Sequence, residues 1–398
     1  MVRKSFVGAA VVTASAVLLT GCASKAQTAG GGGGASGTAV KVAVVYSKTG
    51  LLSAYGQEYV DGFKAGLDFA TKGTGKAGSH TVDVTYADDA GDPTKAVSAA
   101  KQYIGQGVKI VAGTTDSGIA KQLAPLAEQN KVLYISGPAA ADAVTGMNKY
   151  TFRSGRQSYQ DVATAGTFVG DATGKKILVF AQDTTFGQGN AAAVKNVLGT
   201  KGATVTSLLV PATATDFTPF AAQAAKAKAD LVFVAWAGST TGAMWQSLDQ
   251  QGVLGATKVV TGLANSASFT AYGSAATKID FLSYYFPAAA TNAVNTAMVQ
   301  AITKAGGTPD LFSPDGFVAA QMVVHAIEQA DGQDVDKMIA GLENWTFDAP
   351  KGSETVRAGD HAMIQPMFEA KLVGTGTALK PQLVTTVPGD KTAPPAAN

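Results

Sequence analysis

From Val40 onward, short valine-rich runs alternate with alanine-rich stretches long enough to be helices. VKVAVVY over 40–46 predicts a buried strand, and AYGQEYVDGFKAGLDFA over 54–70 a helix with Tyr59, Phe63, Leu67 and Ala70 on one face. Apolar runs at 81–87, 108–113 and 131–136 continue the strands, with helices near 93–106 and 119–130 between them. A second series follows YTFRSG (150–155), with strands at 175–181, 203–210, 229–236 and 258–262. Such alternation makes parallel sheets, and its repetition predicts an α/β fold of two doubly wound lobes with a ligand cleft between them. Later segments are less regular: strands at 280–286 and 363–373, helices near 291–305, 314–330 and 335–342, and from Pro388 a disordered tail.

Length agrees with this plan, because 398 residues exceed what a single core usually holds. Sparse charge, at 15%, with 46% hydrophobic residues fits a compact soluble body rather than a disordered chain. Ahead of it, Arg3 and Lys4 precede the mostly apolar stretch from Phe6 to Leu19, and Leu19-Thr20-Gly21-Cys22 closes the segment. That ending resembles the lipobox of bacterial lipoproteins, which implies cleavage after residue 21 and a thioether from Cys22 to diacylglycerol. Cys22 is the sole cysteine, so no disulfide forms within the chain. Residues 22–39 are small, polar and Gly-rich, a flexible tether with a reach of roughly 20–25 Å. Loss of Arg3 and Lys4 with the signal takes the formal charge from +2 to about zero, which leaves no field to attract nucleic acid. No later uncharged apolar run reaches the ~18 residues of a spanning helix, so the expected membrane anchor is the lipid alone.

The stretch GTTDSGIA (113–120) contains an Asp-Ser-Gly triplet like that of aspartic proteases, but those enzymes need a second such loop and none exists here. GTGKAG (73–78) follows a helix and precedes a strand, the reverse of a dinucleotide site. There is no Walker sequence and no G-x-S-x-G elbow, and His80, His325 and His361 lack metal-ligand spacing. The chain reads as no enzyme and calls for no cofactor. What the 113–120 stretch offers is a strand end, the hydroxyls of Thr114, Thr115 and Ser117, and a helix beginning near Gly118. Ser117 is placed either to cap that helix or, with its free N–H groups and positive dipole end, to hold a ligand carboxylate; the two roles are compatible.

The segments at 40–70, 86–118, 181–198 and 215–236 together resemble the branched-chain amino acid binding proteins of ABC importers, in order from about Val40 to Val373. The resemblance implies a type I periplasmic-binding fold whose lobes are joined by three crossovers, near 153–156, 284–288 and 348–352. Lobe 1 is then 40–154 plus 287–349, lobe 2 is 155–286 plus 350–387, and 388–398 is the tail. It further implies that Ser117 binds a carboxylate, that the loop 136–143 contributes backbone groups, and that Phe186 supplies an aromatic wall. With Trp236 and Tyr55 as further rings, the candidate binding set is Tyr55, Thr115, Ser117, Ser136, Pro138, Ala139, Ala140, Phe186, Trp236, Ala237 and Thr261. Two features depart from the family. Ala140 stands where a threonine is usual, and the acid expected for an ammonium near Thr261 or Gly262 is missing, with no Asp or Glu between Asp249 and Asp280. A buried ammonium without a partner costs several kcal/mol, which argues against an ordinary α-amino acid unless Asp116 or Asp142 substitutes. The expected partners are a small carboxylate-bearing or amino-acid-like solute, the permease subunits of an ABC importer and the membrane through Cys22, with the protein a monomer on the extracytoplasmic face. A ligand-sensing lipoprotein of the same fold is the alternative.

Overall fold

A computed structural model describes residues 37–397 of the protein; the signal segment, Cys22 and the tether up to residue 36 lie outside the described residues. The architecture is α/β, with two lobes built on mainly parallel sheets. The first sheet runs Lys76–Ala77, His80–Asp88, Val40–Tyr46, Ile110–Ala112, Leu133–Ser136, Thr151–Arg153. All its pairings are parallel except the first, an antiparallel hairpin edge. The second sheet has seven strands in the order Lys380–Val387, Met367–Val373, Asp280–Ser283, Lys258–Gly262, Leu231–Ala235, Lys176–Asp183, Thr204–Pro211, and its last two C-terminal strands are antiparallel.

Helices cover both faces of each sheet, so central strands are buried on both sides and read as continuous apolar runs. Leu178 and Phe180 face one hydrophobic core while Ile177, Val179 and Ala181 face another, the two-residue alternation of a strand between two helical layers. The first sheet's core includes Val318, Met322, Val323 and Ile327 of helix Ser313–Gln329 and Met338 and Leu342 of helix Val335–Leu342. The late helices therefore pack on the first lobe rather than extending the second. That docking is backbone to backbone: a Cβ on Gly62 would stand 1.9 Å from the Ser313 carbonyl oxygen, and one on Gly316 1.8 Å from that of Tyr59. Between the lobes the chain passes a three-stranded antiparallel sheet, Thr346–Ala349, Gly352–Val356 and Met363–Ile364.

Three expectations are corrected. The strand placed over 363–373 is two strands, Met363–Ile364 and Met367–Val373, interrupted at Pro366, which cannot donate to a ladder. The run at 280–286 ends as a strand at Ser283, where the chain leaves the second sheet. The segment after Pro388 is not disordered over its described part. It forms a short helix, Gly389–Thr392, with Thr392 buried, and Arg357 donates to the Pro394 carbonyl at 2.7 Å while Ala397 N donates to Asp360 at 3.0 Å.

Candidate functional site

In both sheets the strand order reverses beside an early strand. Val40–Tyr46 is flanked by His80–Asp88 and Ile110–Ala112, and Lys176–Asp183 by Thr204–Pro211 and Leu231–Ala235. Loops diverge at the C-terminal ends of strands around such a reversal and leave a crevice. Here the two crevices face each other across one cavity of about 410 Å³. Leu51, Thr115 and Pro138 line it from the first lobe, and Gln182, Trp236 and Leu263 from the second.

The lobes meet around this cavity. Leu51 packs against Gly238, where an added Cβ would come within 2.6 Å of its Cγ, and Gly118 lies beside Thr185. Polar contacts close another side. Asn265 Nδ2 donates to Glu58 Oε1 at 3.1 Å, while the Ser266 amide and hydroxyl donate to Asp310 Oδ2 at 2.8 and 2.6 Å. Burial first, then the nearby Asp310 carboxylate, push Glu58 up to about 8 against hydrogen bonds from Phe312 N and Asn265.

Helix Ser117–Asn130 begins one residue earlier than the hydroxyl pattern indicates. Asp116, not Ser117, is its N-cap, and Asp116 Oδ1 accepts from Ile119 N at 2.9 Å. This frees the Ser117 hydroxyl, whose oxygen accepts from Ala141 N at 3.2 Å and whose O–H remains a donor at the cavity wall. Among the described residues no acceptor pairs with the N–H groups of Gly118 and Ala140, both of which line the cavity. The loop bearing Ala140 is held by the buried Arg153, which donates to the carbonyls of Ala139 at 2.5 Å, Ala141 at 3.0 Å and Arg156 at 2.9 Å.

Nine of the eleven expected residues line the cavity: Tyr55, Thr115, Ser117, Pro138, Ala140, Phe186, Trp236, Ala237 and Thr261. Thr115 shares a hydrogen bond with Ser47 at 2.9 Å, and Thr261 donates to Val234 O at 2.9 Å. Trp236 stacks on Phe180, meets Phe217 edge-on at 5.2 Å and donates through Nε1 to Thr240 at 3.0 Å, so its ring is fixed on three sides. Tyr55, pushed up to about 12 by burial, lies edge-on to Phe312 at 5.0 Å. Ser136 and Ala139 do not reach the cavity. Both are fully buried; Ser154 donates twice to the Ser136 carbonyl, and that of Ala139 serves Arg153.

Among the lining residues missed from the sequence are Gln182, Trp245, Tyr272 and two charged ones. Arg156 and Asp161 both line the cavity, and Arg156 Nε lies 3.3 Å from Asp161. Burial pushes Asp161 up and Arg156 opposes it. Asp161 sits in helix Ser158–Ala165, far along the chain from the 249–280 stretch where an acid was sought. Asp142 is turned away, accepting from Gln157 Nε2 and Tyr159 N at 2.9 Å each. Among the described residues no cluster of His, Cys, Asp or Glu is placed to hold a metal ion, and no helix is long and apolar enough to cross a membrane.

Residues 39–377 match the family described as periplasmic binding protein. The crystal structure of an ABC-type branched-chain amino acid transporter from Rhodopseudomonas palustris is 32% identical, with a TM-score of 0.75, over 90% of this chain and 99% of that one. The leucine-, isoleucine-, valine-, threonine- and alanine-binding protein of Pseudomonas aeruginosa is 26% identical over 79% of this chain and 84% of its own length. A Rhodopseudomonas palustris solute-binding protein of an ABC transporter, solved with 4-hydroxybenzoate, shares the fold with a TM-score of 0.81 at 22% identity, over 88% of this chain and 97% of that one.

Proposed function

The chain belongs to the periplasmic binding protein family, and from that premise we propose that it is a lipid-anchored receptor that captures a carboxylate-bearing, amino-acid-like solute and delivers it to an ABC permease. Solute-binding proteins of this class are extracytoplasmic and non-enzymatic, and the work they do is binding and lobe closure. The observation that supports the choice of solute is the cluster of unused donors at one end of the cavity: the Ser117 hydroxyl and the N–H groups of Gly118 and Ala140, at the positive end of a helix. The rings of Tyr55, Phe186 and Trp236 enclose the remainder from both lobes. Contacts from both lobes mean that the solute stabilises the closed arrangement over an open one, with the interlobe crossovers as the hinge.

Ser117→Ala is expected to weaken binding of carboxylate solutes by about 1–3 kcal/mol, the range for a hydrogen bond to a charged group. Titration calorimetry of wild type and variant against amino acids and aromatic acids measures this, and equal affinities would remove Ser117 from the site. The anchor has its own test. Cys22→Ser is expected to abolish labelled palmitate incorporation and release the protein from membranes; continued labelling would place the lipid elsewhere.

A further inference from the structure

We infer that Arg156 and Asp161 read the head group of a zwitterionic amino acid whose side chain is bulky and ring-bearing; this rests on the cavity being the solute site. Among the described residues, Arg156 is the only cationic one that lines the cavity, and Asp116 and Asp161 are the only anionic ones. Asp116 is engaged as a helix cap. Arg156 and Asp161 are 7% and 4% exposed, and they meet through Nε alone, 3.3 Å from either carboxylate oxygen.

That contact is long and uses one of the five N–H groups of the guanidinium. Nη1 gives one more to the Pro138 carbonyl at 2.7 Å, and among the described residues Nη2 has no partner and Asp161 accepts from nothing else. The pair therefore holds unused donors and unused acceptors side by side at the cavity wall. Net charge decides which solute suits it. The pair sits in a wider group of buried charges that includes Lys351 and Asp315; a carboxylate alone adds a negative charge and leaves the acceptors of Asp161 unused, and an amine alone adds a positive one and leaves the donors of Arg156 unused, each a cost in a buried space. A zwitterion satisfies both at once. Its carboxylate takes Arg156, Ser117 and the N–H groups of Gly118 and Ala140, its ammonium takes Asp161, and it brings no net charge. Asp161 thus supplies, from helix Ser158–Ala165, the acid that the 249–280 stretch lacks.

The rest of the cavity fixes the side chain. From the second lobe the same cavity is lined by Trp236, Trp245, Tyr272 and Leu282. A cavity of about 410 Å³ is within the range of sites for drug-sized ligands, which a short aliphatic side chain would leave largely empty. Trp245 and Tyr272 pack against each other at 5.2 Å with their planes tilted by 53°, and Trp236 is fixed as described, so the walls are rigid aromatic surfaces suited to another ring.

Calorimetry on the whole chain with L-phenylalanine, L-leucine, 3-phenylpropionate (the same skeleton without the ammonium) and 2-phenylethylamine (without the carboxylate) tests this. Phenylalanine is expected to bind at least about tenfold more tightly than each of the others. Asp161→Asn is expected to weaken phenylalanine about tenfold or more and to leave 3-phenylpropionate bound at least as tightly as before, because the carboxylate that opposes its charge is gone; that retained binding also reports that the variant is folded. The comparison on the wild type stands if the variant fails to fold. Binding of 3-phenylpropionate or benzoate as tight as phenylalanine, with Ser117→Ala still weakening it, overturns the head-group assignment and leaves the receptor reading intact. Equal weakening of all solutes by Asp161→Asn overturns it as well, by showing a structural role. No binding of any carboxylate or amino acid overturns both readings.

Discussion

Replacing Gly316 by alanine is expected to destabilise the protein by about 2–3 kcal/mol, even though alanine is the better helix former by about 1 kcal/mol. The added Cβ would lie 1.8 Å from the Tyr59 carbonyl oxygen and 2.6 Å from the Phe63 amide, both backbone atoms of helix Ser53–Ala70. No rotamer change relieves a clash with backbone, so the two helices must separate. Gly62 and Gly66 continue the same close approach: a Cβ added to them would lie 1.9 and 2.4 Å from the carbonyl oxygens of Ser313 and Phe317. Tyr55 and Glu58 project from the first of these helices and Phe312 directly precedes the second, so separation also displaces one cavity wall and solute affinity falls with stability. Gly105 is the control: it ends helix Pro93–Gly105 with nothing within 4 Å of an added Cβ. Gly105→Ala is expected to be neutral or to stabilise by up to about 1 kcal/mol. Chemical denaturation of the two variants measures the contrast, and equal midpoints would refute backbone contact at Gly316.

The strands that carry the site were the most legible part of the chain. Val40–Tyr46 and Lys258–Gly262 lie where their apolar runs predict them, because strands buried on both faces need apolar residues at successive positions. Lys380–Val387 left no comparable trace. It is an antiparallel edge strand with most of its residues exposed, so neither face imposes a pattern. Within the site, Thr115, Ser117, Phe186 and Trp236 were found because loops at strand ends are where small hydroxyls and isolated rings stand out. Ser136 and Ala139 were adjacent to real lining residues but point inward, a distinction that local sequence does not contain. The exchange of cap between Asp116 and Ser117 arose because either side chain caps well, and only the three-dimensional path of the 138–141 loop draws the serine away. Arg156 and Asp161 were missed because their meaning comes from what surrounds them. Five positions apart across a helix start, they read as an ordinary surface pair until burial and the cavity are known.

Across the lobe interface, Glu58→Gln is expected to flatten part of the protein's pH dependence. Glu58 is buried between the lobes, with Asn265 Nδ2 on one oxygen and Phe312 N on the other, each at 3.1 Å. Of the charged groups acting on it, Asp310 on the same side of the interface and Asp61 on its own helix both raise it further, so the closed protein holds its proton up to about pH 8. A carboxyl in water or in the unfolded chain releases that proton near pH 4.3. The folded-state value is the raised one, so this group's contribution is complete below about pH 4.3 and is lost as pH rises through about 8. A difference of this size corresponds to a contribution of order 3–5 kcal/mol, or up to about tenfold in solute affinity per pH unit where opening the lobes returns Glu58 to water. Asp310, Asp315 and Glu354 are also pushed up by burial, so the slope of the wild type alone does not isolate one residue. The difference between wild type and Glu58→Gln does, because glutamine keeps the shape of the protonated acid and cannot ionise. Thermal melts from pH 5 to 8.5 should show the variant gaining on the wild type steadily from pH 5, by up to about 1.4 kcal/mol per pH unit, and levelling off above about pH 8, since over that window the unfolded wild type has lost a proton that the folded protein still holds. A wild-type-to-variant difference that stays constant over that range would mean that Glu58 already ionises in the closed protein and that the Asn265 contact carries no proton linkage.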